Sequence, residues 1–155
     1  MARKFDYLFP ESVFPFVSAN CKRGALRKIA EKASVICDTP DSVIITSLLD
    51  REKLGSTGVG NGVAIPHAKL PEISKIYGFL ARLDNPVDFD ALDGEPVDLV
   101  YILLAPENAT AAHLKALAQV SRLMRDEEAR LALRGAESAD AMFAIAASDR
   151  RNNAA

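Results

Sequence analysis

Val97 to Leu104 is almost continuously apolar, interrupted only by Asp98, and it ends at Ala105-Pro106. A strand with one face in water alternates apolar and polar residues. An unbroken run reads instead as a central strand covered on both faces. Ile76 to Leu83, short, apolar and aromatic, supplies a second strand. The covering layers are legible as helical periodicity. Leu26, Ile29, Ala30, Ala33 and Cys37 recur at helical spacing, predicting a helix over 21–37 with Asn20 as its N-cap. A second helix starts at Thr39-Pro40, buries Ile44, Ile45, Leu48 and Leu49, and stops at Gly55. A third begins near Thr110 and carries His113, Leu117, Val120 and Met124 on one stripe. Two shorter patterns follow at Glu127–Leu133 and Ala139–Ala147, with Gly135 between them. The expected fold class is α/β: a single domain, a mixed β-sheet flanked by helices on both faces, and a frayed tail over 148–155.

The 155 residues suffice for one domain with a sizeable core. With 49% hydrophobic and 26% charged residues, the chain has the composition of a folded globular protein rather than a disordered one. A formal charge of −2 gives no electrostatic reason to expect nucleic acid or an anionic membrane as partner. No signal peptide or membrane-inserted span can be drawn, because Asp6, Pro10, Glu11 and Pro15 break the apolar stretch behind the basic N-terminus. Two cysteines, Cys21 and Cys37, read as thiols in a reducing cytoplasm. The acidic residues Asp84, Asp88, Asp90, Asp93, Glu95 and Asp98 read as a solvated loop and strand edge.

Chemistry concentrates elsewhere. Four of the eight glycines fall between Gly55 and Gly62, and the run closes on Ile65-Pro66-His67, with one of only two histidines. Proline fixes its own φ and lacks a donor, so the chain enters His67 stiff and non-helical. The glycine spacing does not match a dinucleotide fingerprint, and Asn61-Gly62 stands where a P-loop needs Lys and Ser or Thr. No His-x-x-x-His or Cys-x-x-Cys spacing suggests a metal, and no G-x-S-x-G elbow suggests a serine nucleophile. Ser56 and Thr57 read as turn residues. No cofactor or metal is expected.

A rigidly presented imidazole with neither metal nor nucleotide loop fits one chemistry: histidine as the nucleophile itself. Neutral imidazole keeps a ring lone pair that can attack phosphorus, and the resulting phosphoramidate can pass its group onward. Phosphoryl transfer relies chiefly on positioning and charge stabilisation. Arg51, in the last turn of the second helix, can turn N–H donors onto phosphate, or can simply be a cation at a helix end. His113, in the first turn of the third helix, lies where backbone amides and the dipole favour an anion, or is a hydrogen-bonded half-core residue.

The run Arg51-Glu52-Lys53-Leu54-Gly55-Ser56-Thr57-Gly58-Val59-Gly60-Asn61-Gly62-Val63-Ala64-Ile65-Pro66-His67 resembles the active-site signature R-E-x-L-x-x-T-x-x-G-x-G-x-A-x-P-H. That signature marks the type-2 (mannitol/fructose-class) EIIA domains of the bacterial phosphoenolpyruvate phosphotransferase system. The similarity continues through Pro86-Val87-Asp88-Phe89, Pro96-Val97-Asp98-Leu99-Val100 and Ala105-Pro106 to His113-Leu114, and it implies one domain of this type over residues 5–147, nearly the whole chain. Leu54 to Gly60 and Leu114-Lys115-Ala116-Leu117 resemble the stand-alone nitrogen-regulatory branch in particular. The resemblance implies that His67 accepts phosphate on Nε2 from a phosphohistidine carrier of the HPr class. It also implies that His113 stabilises the phosphorylated ring and that Arg51 borders the site as a phosphate clamp. The chain would then be a phosphocarrier rather than an independent enzyme, regulating unidentified targets, with potassium transport and metabolic regulators among the possibilities for this branch. The alternative is a sugar-uptake component that passes phosphate to a separate EIIB. One departure is Ala68, where many members carry glycine, and a slightly different local backbone is expected there.

Overall fold

The computed structural model describes residues 6–148. A 3-10 turn at Pro10–Ser12 leads into β1 (Val13–Val17), followed by α1 (Lys22–Cys37) and α2 (Asp41–Lys53). Three short strands come next, β2 (Gly58–Gly60), β3 (Val63–Ala64) and β4 (His67–Leu70). Two long ones follow, β5 (Tyr77–Val87) and β6 (Val97–Pro106), and then α3 (Thr110–Arg125), α4 (Glu127–Gly135) and α5 (Ala139–Ala146). Apart from Ser148, the expected tail lies outside the described residues.

The sheet is mixed, in the order β1-β5-β6-β3-β2, with β4 also on β6. β1 runs parallel to β5, β5 antiparallel to β6, and both β3 and β4 parallel to β6. β6 is the central strand that its composition predicts. Val100, Ile102 and Leu104 enter the layer shared with α1 and α2, while Leu99, Tyr101 and Leu103 enter the layer shared with α3, α4 and α5. Each fully buried large apolar side chain of this kind stabilises the fold by roughly 1.5–3 kcal/mol relative to exposure. Helices therefore cover both faces, as expected.

Several local expectations are corrected. Cys21, not Asn20, caps α1, its Sγ accepting from the Gly24 amide at 3.4 Å. Thr39 does not cap α2; its hydroxyl donates to the Cys37 carbonyl at 3.2 Å, and Pro40 takes the N-cap position. Gly135 is the last residue of α4 rather than a spacer. β1 escapes sequence reading because Pro15 interrupts it, a residue tolerated here because β1 is an edge strand.

The acidic run is only partly a solvated loop. Asp98 pairs with Arg134 at 2.9 Å, and Arg134 also donates to the Asn61 carbonyl at 2.7 Å. Asp93 accepts from the Asn61 amide at 3.0 Å. These groups clamp the β2–β3 turn, where Gly62 has φ +76° and an added Cβ would strike the Arg134 guanidinium. The positive φ is what calls for glycine at that position.

β3 and β4 form one interrupted strand. Val63 lies opposite Leu99 and Ala64 opposite Val100; beyond the interruption, His67 lies opposite Leu103 and Ala68 opposite Leu104, with no shift of register. The Pro66 carbonyl still accepts from the Leu103 amide at 3.0 Å, and the Ile65 amide instead donates to the Thr57 carbonyl at 3.0 Å. Ala68 is ordinary extended strand, buried at 7% exposure, so alanine fits without strain.

Candidate functional site

His67 opens β4, and Pro66 delivers it there already extended. By strand alternation its imidazole shares the α3 side of the sheet with Val63 and Ile65, while Ala64, Ala68 and Leu70 join the other core. Its Nδ1 lies 2.9 Å from the Ile65 carbonyl. A carbonyl can only accept, so Nδ1 carries the proton and Nε2 of the neutral ring holds the lone pair. Sequence reasoning alone does not select a nitrogen; a backbone carbonyl released from the ladder at the strand interruption does.

Arg51 converges on the same ring from the last turn of α2. Its Nε donates to His67 Nε2 at 3.3 Å, and its Nη1 donates to the Gly55 carbonyl at 2.9 Å. His113 approaches from α3, its ring edge-on to that of His67 with centroids 5.7 Å apart and an interplanar angle of 70°. It is 5% exposed, and its buried Nε2 has no hydrogen-bond partner among the described residues. It lies in the first turn of α3, where the sequence places it. His113 is the fourth residue of α3, and its amide is already bonded to the Ala109 carbonyl at 2.8 Å, so only the ring is available to a ligand.

The three sequence-selected residues thus share one cleft of about 390 Å³, lined also by Ser47, Asp50, Leu54, Ala68 and Lys69. Lys69 carries no motif signal in the sequence, although it lies two residues from His67 on one strand and so shares its side. Its Nζ donates to the Thr110 hydroxyl at 2.9 Å, tying β4 to the start of α3. Leu54 and Leu114, flanking Arg51 and His113 in sequence, are exposed at 84% and 62%. Among the described residues no three His, Cys, Asp or Glu side chains converge as metal ligands would, and no helix is long and apolar enough to cross a membrane.

Both imidazoles are held below the ordinary histidine pKa of 6.5. For His67 burial is the main cause, and the Arg51 charge acts in the same direction against the Ile65 hydrogen bond and the Glu52 carboxylate. For His113 burial again leads, followed by His67 and Lys69. Both rings are therefore neutral at neutral pH. Unfolded histidines take up protons first as pH falls, so stability is full above about 6.5 and declines as pH drops towards the folded-state values. The urea midpoint is expected to fall between about pH 7.5 and 5.5. A His67→Gln/His113→Gln double variant should lose most of that dependence; an equally steep dependence in the variant would assign it to other groups.

A strand-borne imidazole with a free lone pair, beside a guanidinium and a second imidazole, has the chemistry that group transfer through histidine uses. The comparisons agree with that class. The family model described as phosphoenolpyruvate-dependent sugar phosphotransferase system, EIIA 2, matches residues 6–148, and the chain belongs to this family. The chain is 49% identical over 142 residues to a nitrogen regulatory protein of Bradyrhizobium diazoefficiens, covering 92% of this chain and 93% of the relative. It is 41% identical over 146 residues to a nitrogen regulatory protein of Pseudomonas aeruginosa, covering 94% and 95%. The crystal structure of the nitrogen regulatory protein IIA-Ntr from Neisseria meningitidis superposes with a TM-score of 0.86 at 33% identity, covering 91% of this chain and 97% of that one.

Proposed function

We propose that this chain is a phosphoryl-transfer regulatory protein that accepts phosphate on Nε2 of His67 from a phosphohistidine carrier of the HPr class, its phosphorylation state then controlling other proteins. The observation that carries this reading is the tautomer lock: Ile65 holds the proton on Nδ1 and leaves the Nε2 lone pair turned into the cleft. In the transfer step that lone pair forms an N–P bond as the carrier's own N–P bond breaks. The carrier's ring departs with the electron pair of the broken bond, and His67 ends as a ring protonated on Nδ1 and phosphorylated on Nε2. The Ile65 carbonyl accepts the Nδ1–H throughout and offsets the positive charge that the ring develops.

Arg51 occupies the Nε2 lone pair at rest, so its Nε–H must move aside as phosphorus approaches. Its fork of donors is then positioned for the phosphoryl oxygens. The buried His113 Nε2 gains the partner it lacks if it donates to an oxygen of the same group. The regulatory role rests on the long, nearly full-length matches to nitrogen regulatory proteins.

The test incubates the protein with phosphoenolpyruvate, enzyme I and the cognate HPr-type carrier. An acid-labile phosphoryl mass gain on the wild type is expected, with slower transfer or a shorter-lived phosphoprotein for His113→Ala. An unmodified wild type would end the transfer reading, and unchanged kinetics would return His113 to a packing role. Binding partners that differ between the two phosphorylation states would support regulation. Onward transfer to a separate EIIB with rescue of sugar uptake would replace it with the transport reading.

A further inference from the structure

Resting on the transfer reading above, we propose that Glu52 is the positioning residue of this site, holding the Arg51 guanidinium on His67 through the glycine-rich loop. Consecutive helical residues point about 100° apart. Where Arg51 faces the cleft, Glu52 therefore turns inward, and its side chain is only 5% exposed. A carboxylate so buried needs partners. It accepts from the Thr57 amide at 3.2 Å, from the Thr57 hydroxyl, and from Lys22 Nζ at 3.1 Å.

All three partners serve the loop that leads to the nucleophile. Thr57 is its centre, held twice by the carboxylate. Lys22, from the first turn of α1, also donates to the Phe89 carbonyl at 3.3 Å, and the Ser56 hydroxyl donates to that same carbonyl. The loop is thus pinned between α1, α2 and the segment after β5. The next residue forward, Gly58, is packed so closely on Ala91 that an added Cβ would lie 2.8 Å from the alanine Cβ.

The pinned loop presents the Gly55 carbonyl to Arg51 Nη1 at 2.9 Å. A guanidinium is planar, so fixing Nη1 orients Nε as well, and Nε is the atom 3.3 Å from His67 Nε2. The path runs from the Glu52 carboxylate to Thr57, back along the loop to Gly55, and from its carbonyl to Arg51. Adjacent residues on one helical turn thereby have complementary tasks: one fixes the loop, and the loop fixes the other. Neither Glu52 nor Thr57 is hydrogen-bonded to the His67 ring, so beyond the direct pull of the Glu52 charge on that ring the positioning passes through the guanidinium.

The experiment is a double-mutant cycle on transfer from the phosphorylated HPr-type carrier, using Glu52→Gln, Arg51→Met and both together. Glu52→Gln should slow transfer at saturating carrier by about tenfold, the scale of a displaced catalytic group, with the carrier KM changed less than about twofold. In the Arg51→Met background the same substitution should change the rate by less than about twofold. The imidazole ¹⁵N spectrum gives a readout independent of phosphorylation. In Glu52→Gln the His67 Nε2 resonance should move downfield, towards a pyridine-type nitrogen without a hydrogen bond, and Arg51→Met should move it the same way. Equal slowing in both backgrounds, or an unmoved Nε2 resonance, would overturn the proposal. If Glu52→Gln does not fold, Thr57→Val removes the hydroxyl donor and is judged by the same two criteria. A wild type that is never phosphorylated defeats the transfer reading, whereas the resonance still decides whether Glu52 positions Arg51.

Discussion

His67→Ala is expected to abolish phosphorylation while leaving the fold intact. The imidazole has its tautomer fixed by a backbone carbonyl and its lone pair turned into the cleft beside Arg51. Alanine removes the bond-forming atom itself, so no residual route through His67 remains. Its structural cost is small. The ring is only half-buried at the cleft, and the hydrogen bonds lost are of the kind worth about 0.5–1.5 kcal/mol each. Intact-mass analysis after incubation with the phosphorylated carrier checks the first part, and urea denaturation the second. A persistent mass gain on the variant would move the acceptor elsewhere, and His113 is the side chain 5.7 Å away that would then need testing.

The largest expected effect on stability comes from a residue far from this chemistry. Arg82, on β5, donates through Nη1 to the carbonyls of Leu133 at 2.8 Å, Arg134 at 3.2 Å and Ala136 at 2.6 Å. Its Nε donates to the Pro15 carbonyl at 3.2 Å, and its guanidinium lies 5.7 Å from the centre of the Phe16 ring. The last carbonyls of a helix have no intrahelical partner. One side chain therefore satisfies the C-terminal end of α4 and ties it to the sheet and to edge strand β1. Arg82→Met keeps much of the aliphatic stem but leaves those half-buried acceptors to compete for water. Hydrogen bonds to a charged donor contribute about 1.5–3 kcal/mol each, and the three Nη1 contacts share one nitrogen, so a loss of about 2–4 kcal/mol is expected. Urea denaturation measures it, and hydrogen exchange should show faster opening in α4 and α5 than in β6. A loss below about 0.5 kcal/mol would mean that water replaces the guanidinium without cost.

What the sequence discloses and what it withholds follow from locality. The helices and the two long strands are legible because apolar periodicity is a local property, and Val97 to Leu104 carries its two-sided burial in its composition. β1 is hidden by Pro15, and β2, β3 and β4 are too short to show a period among glycines. Strand order is set by pairings such as Val13 with Leu80, which no local pattern encodes. At the site, His67 stands out because Pro66 and the glycines constrain the backbone, whereas Arg51 and His113 remain ambiguous until the fold brings them to one ring. The protonated nitrogen depends on which way the Ile65 carbonyl turns, and the place of Glu52 depends on burial. Both are products of tertiary structure.

The unbroken register of the interrupted strand limits how the length of this chain can change. Because β3 and β4 keep one alignment against β6, the segment between Ala64 and His67 works as a ruler of fixed count. Adding or deleting a single residue there would invert the parity of the strand and send the imidazole to the layer of α1 and α2. The length of this short bridge is therefore what keeps the His67 ring on the side of Arg51 and His113. A change of one position here would carry His67 Nε2 away from Arg51 and out of the cleft.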